Sequence, residues 1–255
     1  MNKLFIKFLL FQSKRKFYFL GVHPFHFSLD LPILAQRNRN LNFLAHYYFD
    51  RIDHDPHHNL GLILPDLVRN FVKGTKFKYE AVPESAAAKS LLHGCLAHIK
   101  SDKIFHEWEG FLESMDRIIE EIRHADLGLR KDWFIAHIFS ELILDHALLK
   151  IHPNLAIELY TDYEKVDIAP LEEFLDSQNF NRFDLFLEGY RRFMKHQYLL
   201  SYKDEESVLY ALGRICTKMR LPAFTDEQIV LFQRIMTKEK DFLVAEVPHL
   251  KQALK

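Results

Sequence analysis

The sequence predicts an all-α protein, a bundle of about six to eight helices. Three observations carry that reading. From Leu41 onward, apolar residues recur near the helical period, and no run keeps for long the period-two alternation of a half-buried strand. Only 8 Gly and 9 Pro stand in 255 residues, which favours long helices over many tight turns. Several of those residues fall at the ends of the periodic segments, as Pro65, Gly74, Pro83, Gly128 and Pro153 do.

Taken in order, "HHNLGLILPDLVRNFVKG" reads as a turn followed by a helix. Pro83 precedes a long periodic segment from Glu84 to about Ala125, with Leu91, Leu92, Cys95, Ile99, Phe105, Phe111, Leu112 and Met115 on its apolar positions. Gly128 stands where a helix-terminating glycine belongs. "KDWFIAHIFSELILDHALLKI" is apolar on most sides, so this helix is expected at the centre of the bundle. Pro170 opens "LEEFLDS", and "RFDLFLEGYRRFMKHQYLL" reads as helix. Asp204 precedes "EESVLYALGRICTKMR" as an N-cap. Thr225 with Gln228 forms a capping box ahead of the last helix.

Composition bounds the rest. With 48% hydrophobic and 27% charged residues the chain suits one globular domain. Two cysteines, Cys95 and Cys216, make no disulfide framework, which points to a reduced, cytoplasmic compartment. The net charge of −1 hides an asymmetry. Residues 1–40 carry seven Lys or Arg against Asp30 alone, a net +6, so the remainder carries −7. That acidic body argues against nucleic acid as a partner. "MNKLFIKFLLFQSKRKFYFL" has an apolar run that is short and interrupted by Lys7, without a small-residue cleavage site and too broken to insert stably in a membrane. Residues 1–40 therefore read as an extension, and 41–255 as a single all-α domain.

The polar residues on two helices point to chemistry. His98, Asp102 and His106 are spaced four apart, so they share one helix face. His137, Glu141 and Asp145 repeat the spacing on the central helix, and His146 adjoins them. Such pairs are often exposed ion pairs. Within "IFSELILDHALL", however, an exposed position is hard to find, and a bare buried carboxylate is costly unless it is paired or bound to a cation. Two such stripes brought together form a cluster of imidazoles and carboxylates suited to Mn, Fe or Zn. The chain has no Gly-rich phosphate loop and no Gly-x-Ser-x-Gly elbow. Cys95 lies on an apolar face and reads as a core residue.

"LNFLAHYYFD", "GLILPDLVRNFVKG", "HIKSD" and "LDHALL" stand in the order and approximate spacing of the acyl carrier protein phosphodiesterase family, which the chain resembles from about Leu41 to Phe224. That family is itself similar to the HD-type metal-dependent phosphohydrolases, and the resemblance implies an HD-domain-like helical fold. It implies hydrolysis of 4′-phosphopantetheine from holo-acyl carrier protein with a divalent metal, Mn²⁺ foremost and Mg²⁺ or Fe²⁺ as alternatives. Carried over residue by residue, it implies His98, Asp102, Asp145 and His146 as metal ligands. Asp66 is then a further ligand or a base, and Arg69 faces the phosphate or the carrier protein. The family's start matches Leu41, which implies that residues 1–40 precede the natural start. The chain departs from the pattern at Leu62, Ile99, His106 and Glu141, where the family has Asn, a basic residue, Asp and Asp. Those departures leave two other readings open: an HD-like phosphohydrolase acting on another phosphoester such as a nucleotide, or a helical binding module with a decayed site.

Overall fold

A computed structural model describes residues 42–75 and 77–254; the extension at residues 1–40 lies outside them. The described residues form eleven α-helices and one 3-10 segment, without a strand. In chain order these are α1 (Phe43–Asp50), α2 (Pro56–Gly61), α3 (Leu64–Phe71), α4 (Ala86–Glu107), α5 (Glu109–Ala125) and α6 (Asp132–Ile151). Then follow α7 (Leu155–Tyr163), α8 (Ile168–Ser177), α9 (Phe183–His196), the 3-10 segment Tyr198–Lys203, α10 (Glu205–Lys218) and α11 (Asp226–Ala253).

The all-α class is as expected, and the helices outnumber the expected six to eight because two stretches hold more helices than expected and α7 (Leu155–Tyr163) forms where the sequence marks no helix. The stretch read as a turn and then a helix holds two short helices, α2 and α3, and α1 precedes them. The stretch expected as a single helix from Glu84 to Ala125 divides at Trp108, whose backbone is extended (φ −69°, ψ 132°). Its indole lies against Gly110, where no Cβ would fit. The turn that ends α5 falls at Asp126 in the left-handed region (φ 48°), two residues before Gly128.

Helix α6 is the axis of the fold. Every residue from Ile135 to Leu149 is buried, and α6 packs on α1, α5, α10, α11 and the 3-10 segment. Each of its large apolar side chains contributes about 1.5–3 kcal/mol by leaving water. Helix α11 begins at the expected capping box, with the Thr225 side chain and Gln228 bonded reciprocally. It is tied to α5 by Arg117, whose Nε and Nη2 both donate to the buried Glu239 carboxylate at 3.0 Å.

Two glycines set the position of the polar cluster. Gly61 on α2 and Gly94 on α4 meet so closely that a Cβ built on Gly94 would lie 2.8 Å from the Gly61 Cα and collide with the His58 carbonyl. This crossing lays the turn after α2 directly on α4. Cys95 and Cys216 are free and buried, and burial pushes the Cys95 thiol well above its usual range. Among the described residues no helix is long and apolar enough to cross a membrane.

Candidate metal centre

Helix α1 brings His46 to the site. Its N-cap residue, Asn42, makes no side-chain cap, so the first amides of the helix need another acceptor. Asp145 supplies it from the middle of α6: its two oxygens accept from Leu44 N at 3.3 Å and Ala45 N at 2.9 Å. The residue that follows these amides is His46, which is 4% exposed, its ring 4.1 Å from that of His98 on α4.

Hydrogen bonds fix which ring nitrogens are open. His98 Nδ1 lies 2.8 Å from the Leu62 carbonyl, delivered by the Gly61–Gly94 crossing. A carbonyl only accepts, so Nδ1 carries the proton and Nε2 keeps its lone pair. The Ser101 hydroxyl donates back to the α4 carbonyls of Ala97 and His98 at 3.0 and 3.2 Å, and so receives His46 Nδ1–H at 3.2 Å. His46 Nε2 is left buried without a hydrogen-bond partner. Two imidazoles oriented through Nδ1, each with a free Nε2 lone pair, are arranged as metal ligands commonly are. Burial holds both rings neutral, lowering His46 well below its ordinary value and pushing His98 down to about 3.

Asp102, one turn after His98, completes the first group. His46, His98 and Asp102 each offer an atom, all within 4.8 Å of one another. Ligand bonds of about 2.1 Å hold donor atoms roughly 3–4 Å apart, so small side-chain movements close the group on one ion. Burial raises the Asp102 pKa, but its bond to His106 and the nearby His46 and Arg69 bring the net shift below the ordinary value.

Asp66, in the first turn of α3, lies against this group with Oδ1 4.0 Å from His98 Nε2. Oδ1 also accepts from Arg69 Nη1 at 3.4 Å, and Oδ2 is buried without a hydrogen-bond partner. Burial drives the Asp66 pKa well above the usual carboxylate range, aided by the charges of Asp102 and Glu141. The Arg69 side chain is 48% exposed and is felt by His98 and Asp102 as well. Asp66 thus faces inward and Arg69 faces the rim.

A second group adjoins the first. His106, His137 and Glu141 also offer atoms all within 4.8 Å of one another. His106 and His137 stack at 4.8 Å. His137 Nε2 lies 3.0 Å and His106 Nε2 3.8 Å from Glu141 Oε1. Asp102 joins the two groups, since its Oδ1 lies 3.1 Å from His106 Nε2. Glu141 is fully buried and His137 nearly so, whereas the Asp102 and His106 side chains are about one quarter exposed. The cluster therefore opens to solvent along the Asp102–His106 edge.

The structure brings His98, Asp102, Asp66 and Arg69 together and places Asp145 and His146 outside both groups. Successive residues on a helix point about 100° apart, so these two neighbours serve different sides of α6. Asp145 is taken up by the α1 amides. His146 Nδ1 faces the Tyr202 carbonyl at 2.6 Å, among the charges of Lys150, Glu205 and Lys240. His46 was not assigned as a ligand from sequence: it stands alone in a short apolar helix, and only its place in the "LNFLAH" run marks it. His106, His137 and Glu141 were visible as four-apart stripes, but the resemblance assigned ligands elsewhere. In comparisons by sequence and by structure, no protein-family model, no curated protein and no solved structure matches the chain.

Proposed function

We propose that the protein is a metal-dependent phosphodiesterase that removes 4′-phosphopantetheine from holo-acyl carrier protein. The observation that carries the hydrolytic reading is the buried His46–His98–Asp102 group with a half-exposed guanidinium, Arg69, at its rim. The carrier-protein substrate rests on the resemblance of the quoted motifs.

A divalent cation, when bound, lowers the pKa of water and offsets charge on phosphoryl oxygens. His46 and His98 would hold it through Nε2, and Asp102 through its carboxylate. Mn²⁺ suits this mixed nitrogen and oxygen donor set, as do Fe²⁺ and Zn²⁺; Mg²⁺, which prefers oxygen alone, suits it less. Asp66, whose Oδ1 lies 4.0 Å from His98 Nε2, takes a proton from the attacking water. Arg69 pairs with phosphoryl oxygens as negative charge develops there. Water oxygen bonds to phosphorus, the bond from phosphorus to the serine oxygen breaks, and that oxygen takes up the proton that Asp66 removed from the water. The products are 4′-phosphopantetheine and apo-carrier protein.

A second reading, hydrolysis of another phosphoester, is favoured by two surface features. Ile99, 42% exposed, replaces a basic residue of the family's pattern on α4, which weakens attraction for an acidic carrier protein. Trp133, 38% exposed, presents an indole beside His137, 5.2 Å away, on which a nucleobase can stack. Incubation of holo-carrier protein and, separately, a panel of nucleotides with the Mn²⁺-loaded protein distinguishes the two. Conversion of holo- to apo-carrier protein by mass, absent with chelator, supports the first reading. An unchanged carrier protein with a hydrolysed nucleotide replaces it with the second.

A further inference from the structure

We infer that the cluster is a two-cation centre, in which His106, His137 and Glu141 hold a second divalent ion and Asp102 bridges it to the first. The inference rests on the metal reading of the His46–His98–Asp102 group for the bridging role of Asp102, and on the second group's own geometry for the ion.

Three features carry it. The first is composition and placement: two imidazoles and a carboxylate converge from the end of α4 and the first half of α6, every donor atom within 4.8 Å of the others. The second is His137, which is 3% exposed and whose ring nitrogens make no hydrogen bond. Its Nε2 lies 3.0 Å from Glu141 Oε1, close enough for one ion to take both atoms as ligands. A buried polar ring in that state is costly unless something is bound to it. The third is continuity. Asp102 belongs to the first group, and its Oδ1 is 3.1 Å from His106 Nε2 of the second. One carboxylate between two groups of nitrogen and oxygen donors is the arrangement that places paired ions about 3.5–4 Å apart.

The pair of groups also has a clear chemical use. The Asp102–His106 edge is where solvent reaches the cluster, so a phosphoryl group entering there meets both groups at once. Two cations held there would serve the attacking and the leaving oxygen of an in-line displacement separately. Trp133, packed on His137 at 5.2 Å, reports on the second group.

The test is metal stoichiometry on the full chain, stripped with chelator and dialysed against Mn²⁺, read by elemental analysis and low-temperature electron paramagnetic resonance. The expected result is two Mn²⁺ per chain with a spin-coupled signal. Glu141→Gln and His137→Gln should each lower this to one, with an uncoupled signal, while His98→Gln leaves one ion at the second group. In a Trp108→Phe background, Mn²⁺ should quench Trp133 fluorescence, and Glu141→Gln should remove most of that quenching. A single wild-type ion that Glu141→Gln retains would overturn the second site and leave the proposed function standing. Two uncoupled ions, or two that both substitutions retain, would overturn it as well. A wild-type protein that binds no ion would overturn both proposals together. The wild-type count decides the question by itself if the buried substitutions fail to fold.

Discussion

Asp102 Oδ1 lies 3.1 Å from His106 Nε2, one helical turn away on α4, and this contact joins two groups of buried and partly buried donors into one cluster. A solvated i, i+4 pair would contribute a few tenths of a kcal/mol and do nothing else. Here the same spacing sits at an edge of the cluster where Asp102 and His106 are partly exposed. The spacing supplies the juxtaposition, and the helices packed around it supply the chemistry.

His46 is expected to matter as much as His98. Its Nε2 is buried with its lone pair free, and Ser101 holds the ring through Nδ1. His46→Gln should lower Mn²⁺ affinity by 10²-fold or more, with the melting temperature of the metal-free protein nearly unchanged. Isothermal titration against the wild type measures this, and equal affinity would remove His46 from the centre.

Asp145 should behave as a positioning residue. Its carboxylate caps the α1 amides just before His46, so Asp145→Ala leaves two buried donors unsatisfied and should cost about 2–4 kcal/mol. Metal affinity should fall with it, because the start of α1 loosens. A direct ligand would behave differently: affinity would vanish while thermal stability held or rose. Melting curves with and without Mn²⁺ separate these outcomes.

How much of this was legible in the sequence differs between the fold and the site. The helical period and the capping pair Thr225–Gln228 marked the class and several helix ends. The break at Trp108 was not legible, because it depends on an indole finding space over Gly110 rather than on any local preference. For the site, spacing alone grouped His98 with Asp102 and His106, and His137 with Glu141. It also grouped Asp145 with Glu141, since spacing shows which residues share a face and not what the facing helix offers them. Only the packing of α1 on α6 shows that Asp145 meets two amides. His46 had no spacing signal at all, being a single histidine brought in by tertiary contact.

Asp66 should show opposed effects on stability and function. Its Oδ2 is buried without a partner, and burial raises its pKa. Asp66→Asn removes a costly ionisable group, so the metal-free protein should gain about 1–3 kcal/mol. Turnover should fall by at least 10²-fold, consistent with loss of a general base. Unchanged turnover would remove Asp66 from the mechanism.

The acid sensitivity of the metal-free protein should carry a histidine signature. His98 titrates at about 3 in the folded chain against an ordinary 6.5. As pH falls through 6.5 the unfolded chain binds this proton and the folded chain does not. The stability contributed by neutral His98 is therefore complete above pH 6.5 and is lost as pH drops toward 3. Between pH 7 and pH 5 the wild type should lose about 2 kcal/mol more than His98→Gln. Urea unfolding at the two pH values gives this difference, and parallel losses would show that His98 is not buried neutral.

Gly94 should not accept a side chain. A Cβ there meets the His58 carbonyl and the Gly61 Cα, both backbone atoms. Gly94→Ala should cost about 1–3 kcal/mol or more, as overpacking does. It should also weaken Mn²⁺ binding, because it pushes the Leu62 carbonyl away from His98 Nδ1. A variant that keeps wild-type stability and affinity would show that the α2–α4 crossing does not fix the ring.

The central claim is that the buried cluster is a metal centre, and equilibrium dialysis of the chelator-stripped chain against Mn²⁺ tests it most directly. The wild type should retain Mn²⁺ after removal of free metal, and the double substitution His46→Gln with His98→Gln should lose the ion held by the first group while remaining helical by circular dichroism. Retention equal in the two proteins, or no Mn²⁺ bound by the wild type, would contradict the account.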